Sequence, residues 1–333
     1  MKSGDIEALT TLSRPTIAPD GSRAVLSASH PSIDADGNVG QLWSVPLDGS
    51  PARRLTRGRS DSSPMFSPDG SAIAFIRGDK GAAPQLFAVD AAGGEPVKLT
   101  DAKLGVESFS WSPDSSRIAY TAPVPEQGRY GTVEGIAPGS EPGRHITNLV
   151  YKYNGTGYTG DQRTQVFTVG VPALDAEPAY VAAPLPDGTT PEAALVPESV
   201  QLTAGDFSWY APRYLGDRVA ALSARHEGRD RDLLNQLWTV AEGEEPQSLT
   251  DLGTIEIGTF DSTVDGTVYL LAHELGETGV DFVGRNGAVY RLDGRTPVRL
   301  TDPETSDFGG ALLTFAGERV LVPGIERGRG HLY

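Results

Sequence analysis

The sequence predicts an all-β fold, a β-propeller of four-stranded blades, on three observations. A strand–turn–strand unit recurs as "TIAPDGSRAVLS" (16–27), "MFSPDGSAIAF" (65–75) and "FSWSPDSSRIAY" (109–120). A second unit opens on Gln-Leu-aromatic and closes on Leu-Thr, and its Leu-Thr pairs lie 44, 103, 47 and 51 residues apart. Apart from one long interval, that spacing is the ~40–50-residue period of propeller blades. The chain of 333 residues carries 40 Gly and 25 Pro, the punctuation of many short strands.

Each element of the repeat has a physical reason. In the first unit Pro68 presets the backbone for a turn, Asp69 bonds its own backbone, and Gly70 supplies the left-handed residue. The flanking "AIAFI" and "RIAYTA" are β-branched and aromatic, as inner strands require. The second unit reads "QLWSVPLDGSPARRLT" (41–56), "QLFAVDAAGGEPVKLT" (85–100), "QVFTVGV…VQLT" (165–203), "QLWTVAEGEEPQSLT" (236–250) and "AVYRLDGRTPVRLT" (288–301). Five complete repeats follow, over 15–56, 64–100, 107–203, 207–250 and 256–301, within one propeller spanning 1–333. A sixth begins at 308 and stops inside a blade at 333, so the chain is expected to be part of something longer.

Composition excludes several classes. The formal net charge of −16 repels phosphate backbones and anionic lipid, so neither nucleic acid nor membrane is an expected partner. With no cysteine there is no disulfide framework, thiolate nucleophile or thiolate metal site. The N-terminal "MKSGDIEALTTL" has no apolar segment of a secretory signal, and no apolar run approaches ~20 residues. A cytoplasmic protein without cofactor is expected. Its hydrophobic content of 38% suits strands that bury one face.

The third repeat carries an insertion, 123–198, containing "HITNLVYKYNGTGYTGDQRTQVFTV". Inserts on propellers decorate one face, and recognition is expected there. Tyr151, Tyr153, Tyr158 and His145 are the substrate-facing candidates.

The serial "SPDG" units, the "QLF…LT" units and the segment "ITNLVYKYNGTGY…QVF" together resemble the N-terminal propeller of the prolyl oligopeptidase family of serine peptidases. The bacterial acylaminoacyl-peptidase and dipeptidyl-aminopeptidase-like branch is the most similar. The resemblance covers the chain from about Ile6 to Tyr333. It implies a propeller of about seven blades, of which this chain is a fragment, followed by an α/β-hydrolase domain holding the Ser, Asp and His triad. The propeller would gate and select short peptides, with that hydrolase domain and those peptides as its partners. No triad residue transfers here, because Gly-x-Ser-x-Gly occurs nowhere in the chain, so no catalytic residue is assigned.

Other motifs read as structure. "HELGE" (273–277) puts Glu277 where the zinc signature needs a second histidine. "DADGNVG" (34–40) puts Val39 and Val45 where a calcium loop needs Gly and Glu. The acidic run Glu242–Glu245 sits at a hairpin tip, and the tryptophans at repeat-equivalent positions read as core. Two other functions stay open: a stand-alone TolB-like or WD-like interaction scaffold, and a propeller hydrolase using rim carboxylates such as Asp61, Asp101, Asp251 and Asp302.

Overall fold

The computed structural model describes residues 2–178, 180, 183, 185–186, 196–308, 313–316 and 319–333. Much of the distal insertion, 187–195, lies outside these, as do 309–312 and 317–318 of the last repeat. Among the described residues there is no α-helix, only two 3₁₀ turns at Ser3–Ala8 and Pro138–Ser140. The chain divides into two compact units, one of Met1–Pro123 with Phe167–Val200, the other of Val124–Val166 with Gln201–Tyr333.

In the first unit the strands Arg23–Ser32, Gly37–Pro46, Ser60–Phe66, Ala72–Gly78, Gln85–Asp90 and Val97–Lys98 follow one another in a single sheet. The repeats predict separate blades here. The two are joined by one parallel bridge between Gly40 and Ser60, with the Gly40 N–H donating to Arg59 O at 3.0 Å. Gly40 also packs tightly on its antiparallel partner, since a Cβ there would lie 2.7 Å from that of Ser29. A four-stranded sheet then runs Ser108–Trp111, Arg117–Pro125, Gln162–Gly170, Ser199–Gln201.

The second unit contains two more four-stranded antiparallel sheets. They are Trp209–Leu215, Arg218–Ser223, Gln236–Val240, Gln247–Ser248 and Ile255–Ser262, Val268–Glu274, Gly287–Asp293, Thr296–Arg299. The last repeat forms two hairpins, Thr314–Ala316 with Arg319–Leu321 and Pro323–Glu326 with Arg329–Leu332.

Middle strands are buried on both faces, unlike the one-sided alternation the composition predicts. Along Ala72–Gly78, Ile73 and Phe75 pack with Val25, Leu42 and Val89, while Ala72, Ala74 and Ile76 pack with Leu99, Trp111 and Ile118. In the second unit Leu270 and Ala272 face one cluster, with Phe260 and Leu237, and Leu271 faces another with Phe308. A sheet sandwiched between neighbouring sheets has no solvent face to make polar.

The closing Leu-Thr pair has a defined task. The outer strands are as short as two residues, so the ladder ends early and leaves a buried N–H on the third strand. The threonine hydroxyl accepts it: Leu42 N–H to Thr56, Leu86 to Thr100, Val166 to Thr203, Leu237 to Thr250 and Val289 to Thr301, at 2.9–3.2 Å. In two of the four units that open on glutamine, the amide oxygen accepts from that threonine. Gln85 Oε1 accepts from the Thr100 hydroxyl (2.8 Å) and the Ala102 N–H (2.9 Å), and Gln165 does the same for Thr203 (2.7 Å). Thr100→Val keeps the shape and orphans the Leu86 N–H, so a loss of about 2 kcal/mol is expected. Urea unfolding of that variant beside Thr100→Ser checks it, since serine keeps the acceptor.

The Ser-Pro-Asp turns also close on themselves. Asp69 accepts from the Ser67 hydroxyl (2.6 Å) and the Ser71 N–H (3.0 Å), and Asp114 repeats the pattern with Ser112 and Ser116. The serine hydroxyl bonds hold both carboxyls down to about 2, from an ordinary 3.8. A depressed folded value means the stabilisation is whole above the unfolded pKa and fades as the folded one is approached from above. Stability should therefore fall as pH drops from about 4 to 2. Asp69→Asn with Asp114→Asn should flatten that fall, measured as melting temperature against pH.

Candidate functional site

The insertion leaves the sheet after Arg117–Pro125 and returns through Gln162–Gly170. It therefore connects a second to a third strand, as do the 224–235 and 275–286 segments of the following sheets. Within the second unit these segments meet: the Leu149 N–H donates to Asp230 (3.3 Å), and the Leu233 N–H to Gly279 O (3.0 Å).

The base of the insertion is pinned by the Glu126 N–H donating to Asp161 O at 2.9 Å. Above it, Asp161 is the hub. Its carboxylate accepts from the Tyr130 hydroxyl (2.9 Å) and Arg144 Nε (2.5 Å), with Arg129 Nε at 3.4 Å. Glu141 accepts from the Tyr130 N–H (2.8 Å) and Arg144 Nη2 (3.3 Å). Arg129 also donates to the carbonyls of Pro142 and Gly143. The Arg129 and Asp161 side chains are each 6% exposed. Tyr130 is left-handed at φ 52°, a conformation a tyrosine holds only when its surroundings over-determine it. Burial, then the bond to Asp161, raises the Tyr130 pKa, so the phenol remains a donor.

Of these groups Glu126, Arg129, Arg144 and Asp161 line a cavity of about 160 Å³ together with His145, Ile146, Tyr151, Tyr158 and Arg163. Of the four sequence candidates, His145, Tyr151 and Tyr158 are brought to this cavity. Tyr153 is not among its lining and is 57% exposed on the hairpin Lys152–Tyr153/Gly157–Tyr158. Tyr158 is held: its ring lies under Arg144 (4.3 Å) and Lys152 (5.3 Å) and 6.4 Å from the Tyr151 ring. His145 makes no hydrogen bond to any described residue, and Tyr151 is 45% exposed.

Every carboxylate around the cavity faces a guanidinium, Glu126 through Arg129 (3.3 Å) and Asp206 through Arg163 (2.7 Å) and Arg229 (3.3 Å). The paired residues Arg129, Tyr130, Glu141, Arg144 and Asp161 were not singled out from sequence. Their partners are 3 to 32 positions apart in a segment without periodicity, so no spacing marks them.

The other motifs have local partners. Asp61, a rim candidate by sequence, is buried in a two-point pair with Arg77. Asp101 pairs with Lys98, Asp251 with Arg295, and Asp302 accepts from the Glu304 and Thr305 N–H groups. His273 stands in the strand Val268–Glu274 and not on a helix. Glu244 pairs with Arg218, and Trp209 and Trp111 are buried. Among the described residues no three His, Asp or Glu side chains are grouped as a metal would need, and no helix is long and apolar enough to cross a membrane.

Comparison with solved structures places the arrangement of sheets. The acylaminoacyl peptidase of Pyrococcus horikoshii superposes with a TM-score of 0.68 at 14% identity, over 98% of this chain and 44% of that one. The β-propeller domain of the Trilobed protease from Pyrococcus furiosus superposes at 0.61 and 12% identity, over 97% of this chain and 82% of that one. The fold is a peptidase-type β-propeller. In sequence the propeller is 33% identical over 168 residues to the uncharacterized peptidase YuxL of Bacillus subtilis, half of this chain and 26% of that protein. It is 31% identical over 149 residues to dipeptidyl-peptidase 5 of Porphyromonas gingivalis, 44% of this chain and 21% of that protein. The propeller thus matches about a quarter of the length of these curated relatives, and its homologues are peptidases. No protein-family model matches it.

Proposed function

We propose that this propeller is the non-catalytic, substrate-selecting part of a serine peptidase of the prolyl oligopeptidase family. The parent would hydrolyse short peptides of the acylaminoacyl or dipeptidyl type through a separate α/β-hydrolase domain. The insertion is the recognition element, and the cavity at its base carries the reading. Its charges are mutually neutralised while His145, Tyr151 and Ile146 remain open to a ligand. Such side chains offer apolar area and hydrogen bonds to peptide backbone. Tyr158 holds the wall, under Arg144, and Tyr153 is exposed outside the cavity. The repeats serve as the five complete blades and the start of a sixth.

The test is made in the full-length peptidase that carries this propeller. Tyr151→Ala with His145→Ala should raise KM for short peptides at least fivefold at unchanged melting temperature. The propeller alone should show no turnover of an acyl-peptide. Unchanged kinetics in the double variant, or turnover by the purified propeller, would remove the reading.

A further inference from the structure

One group beside the cavity is not accounted for by it. Arg225 follows the strand Arg218–Ser223, and its guanidinium carbon lies 4.7 Å from the Phe207 ring centre, 4.9 Å from Trp238 and 5.5 Å from Trp209. Trp209 is fully buried and meets Trp238 edge-on at 6.4 Å, so this aromatic support is fixed by the core. Among the described residues, the Arg225 side chain has no ion pair and no hydrogen bond. Its neighbours differ: Arg163 and Arg229 share Asp206, and Arg129 and Arg144 share Asp161.

Arg229 also stacks on Phe207, at 4.8 Å. Three guanidinium groups, those of residues 163, 225 and 229, therefore stand around Phe207 and the single carboxylate of Asp206. The remaining acids of the loop are directed elsewhere. Asp232 accepts from His226 Nε2 at 3.0 Å, Asp230 accepts from the Leu149 N–H, and Glu227 is exposed.

A guanidinium lying over aromatic rings has its faces covered and its N–H edges free in the plane. Held by three rings, the fork loses little side-chain freedom when it binds, and its geometry matches the two oxygens of a carboxylate. Two cations over one ring repel each other, and an anion at the open edge relieves that repulsion.

We propose that Arg225 anchors a carboxylate-binding site on the loop edge of the second unit. The ligand is a peptide carboxylate, from a C-terminus or from an acidic side chain. This deepens the peptide-selecting reading and rests on it for the identity of the ligand as a peptide.

The experiment uses the 333-residue chain and needs no hydrolysis. Trp209 and Trp238 are two of its 4 tryptophans, so emission reports the site, and calorimetry gives the affinity. The probes are Ala-Ala-Ala as free acid, Ala-Ala-Ala amide, and acetyl-Ala-Glu-Ala amide. Binding of the free acid at least about tenfold tighter than its amide supports a C-terminal source. Preference for acetyl-Ala-Glu-Ala amide over Ala-Ala-Ala amide supports a side-chain source. Arg225→Lys keeps the charge but loses the planar fork, and should weaken binding about tenfold at unchanged melting temperature. A shift of the Arg225 Nε resonance during titration of the unaltered chain reads the same contact without a variant. Equal affinity for all three probes, no saturation below about 10 mM, or a lysine variant that binds like the original overturns the proposal. Should the peptidase reading fail instead, carboxylate selectivity would persist here while turnover in the longer protein did not depend on the insertion.

Discussion

Asp61→Ala should lower the unfolding free energy by about 3 to 5 kcal/mol, the range for removing one partner of a buried ion pair. Arg77 Nε and Nη2 meet the two carboxylate oxygens at 2.7 and 3.0 Å, and the Asp61 side chain is 0% exposed. Without the carboxylate, the Arg77 guanidinium, 14% exposed and lying over the Phe75 (5.3 Å) and Phe87 (5.1 Å) rings, would keep its charge without its hydrogen-bonded counterion. An arginine keeps its proton in proteins, so deprotonation offers no escape. Gly58 belongs to the same arrangement, since a Cβ there would sit 2.5 Å from Arg77 Nε. The check is urea unfolding of Asp61→Ala and of Asp61→Ala with Arg77→Met. The double variant should recover part of the loss, because it removes the uncompensated charge. A single variant within 1 kcal/mol of the original, on the order of a surface pair, would show that the pair is solvated.

Asp161→Ala should have a comparable but local effect. It removes the acceptor of the Tyr130 hydroxyl and of Arg144 Nε, and leaves Arg129 with Glu141 at 3.9 Å and Glu126 at 3.3 Å. Opening of the insertion should become easier by about 3 kcal/mol, while the sheets, whose cores do not include it, keep their urea midpoint. Limited proteolysis reads the difference: cleavage within 126–161 should accelerate by about a hundredfold if opening limits it. Digestion at the original rate would mean that the hairpin, through Gln162 Nε2 to Tyr158 O at 2.5 Å, holds the segment by itself.

The contrast between these residues explains what could be read before the structure. Thr56, Thr100, Thr203, Thr250 and Thr301 recur because each ladder ends in the same way and leaves the same donor, so one chemical need writes one letter at a fixed phase. The all-β fold followed from that periodicity. The joining of the first two repeats at Gly40 did not, since it depends on one backbone approach and not on a pattern. In the insertion, His145, Tyr151 and Tyr158 were legible as aromatics and imidazole in a non-repeating segment, and they do line one cavity. The arginines and acids that build its wall were not, because Arg129 and Asp161 meet only after the chain has doubled back. Asp61 looked like a rim carboxylate for the same reason: its partner Arg77 lies on the next strand, and no local motif announces the pair.

The turns of the first unit also touch across repeats. Gly70 lies against Pro19, with room for no side chain beyond 3.1 Å, and the Asp69 N–H donates to the hydroxyl of Ser115 at 3.1 Å. The 67–71 turn thus touches both adjoining turns, and the units are not interchangeable bricks. A spliced or shuffled version that joined repeat two to a stranger would lose the bond between Asp69 and Ser115 even if every strand were kept. Nearest-neighbour coupling of this kind makes loss of order spread from an exposed end, one module after another. In the first unit the serine that reaches across to the 67–71 turn belongs to the third repeat, so melting of that repeat removes one tie on the second.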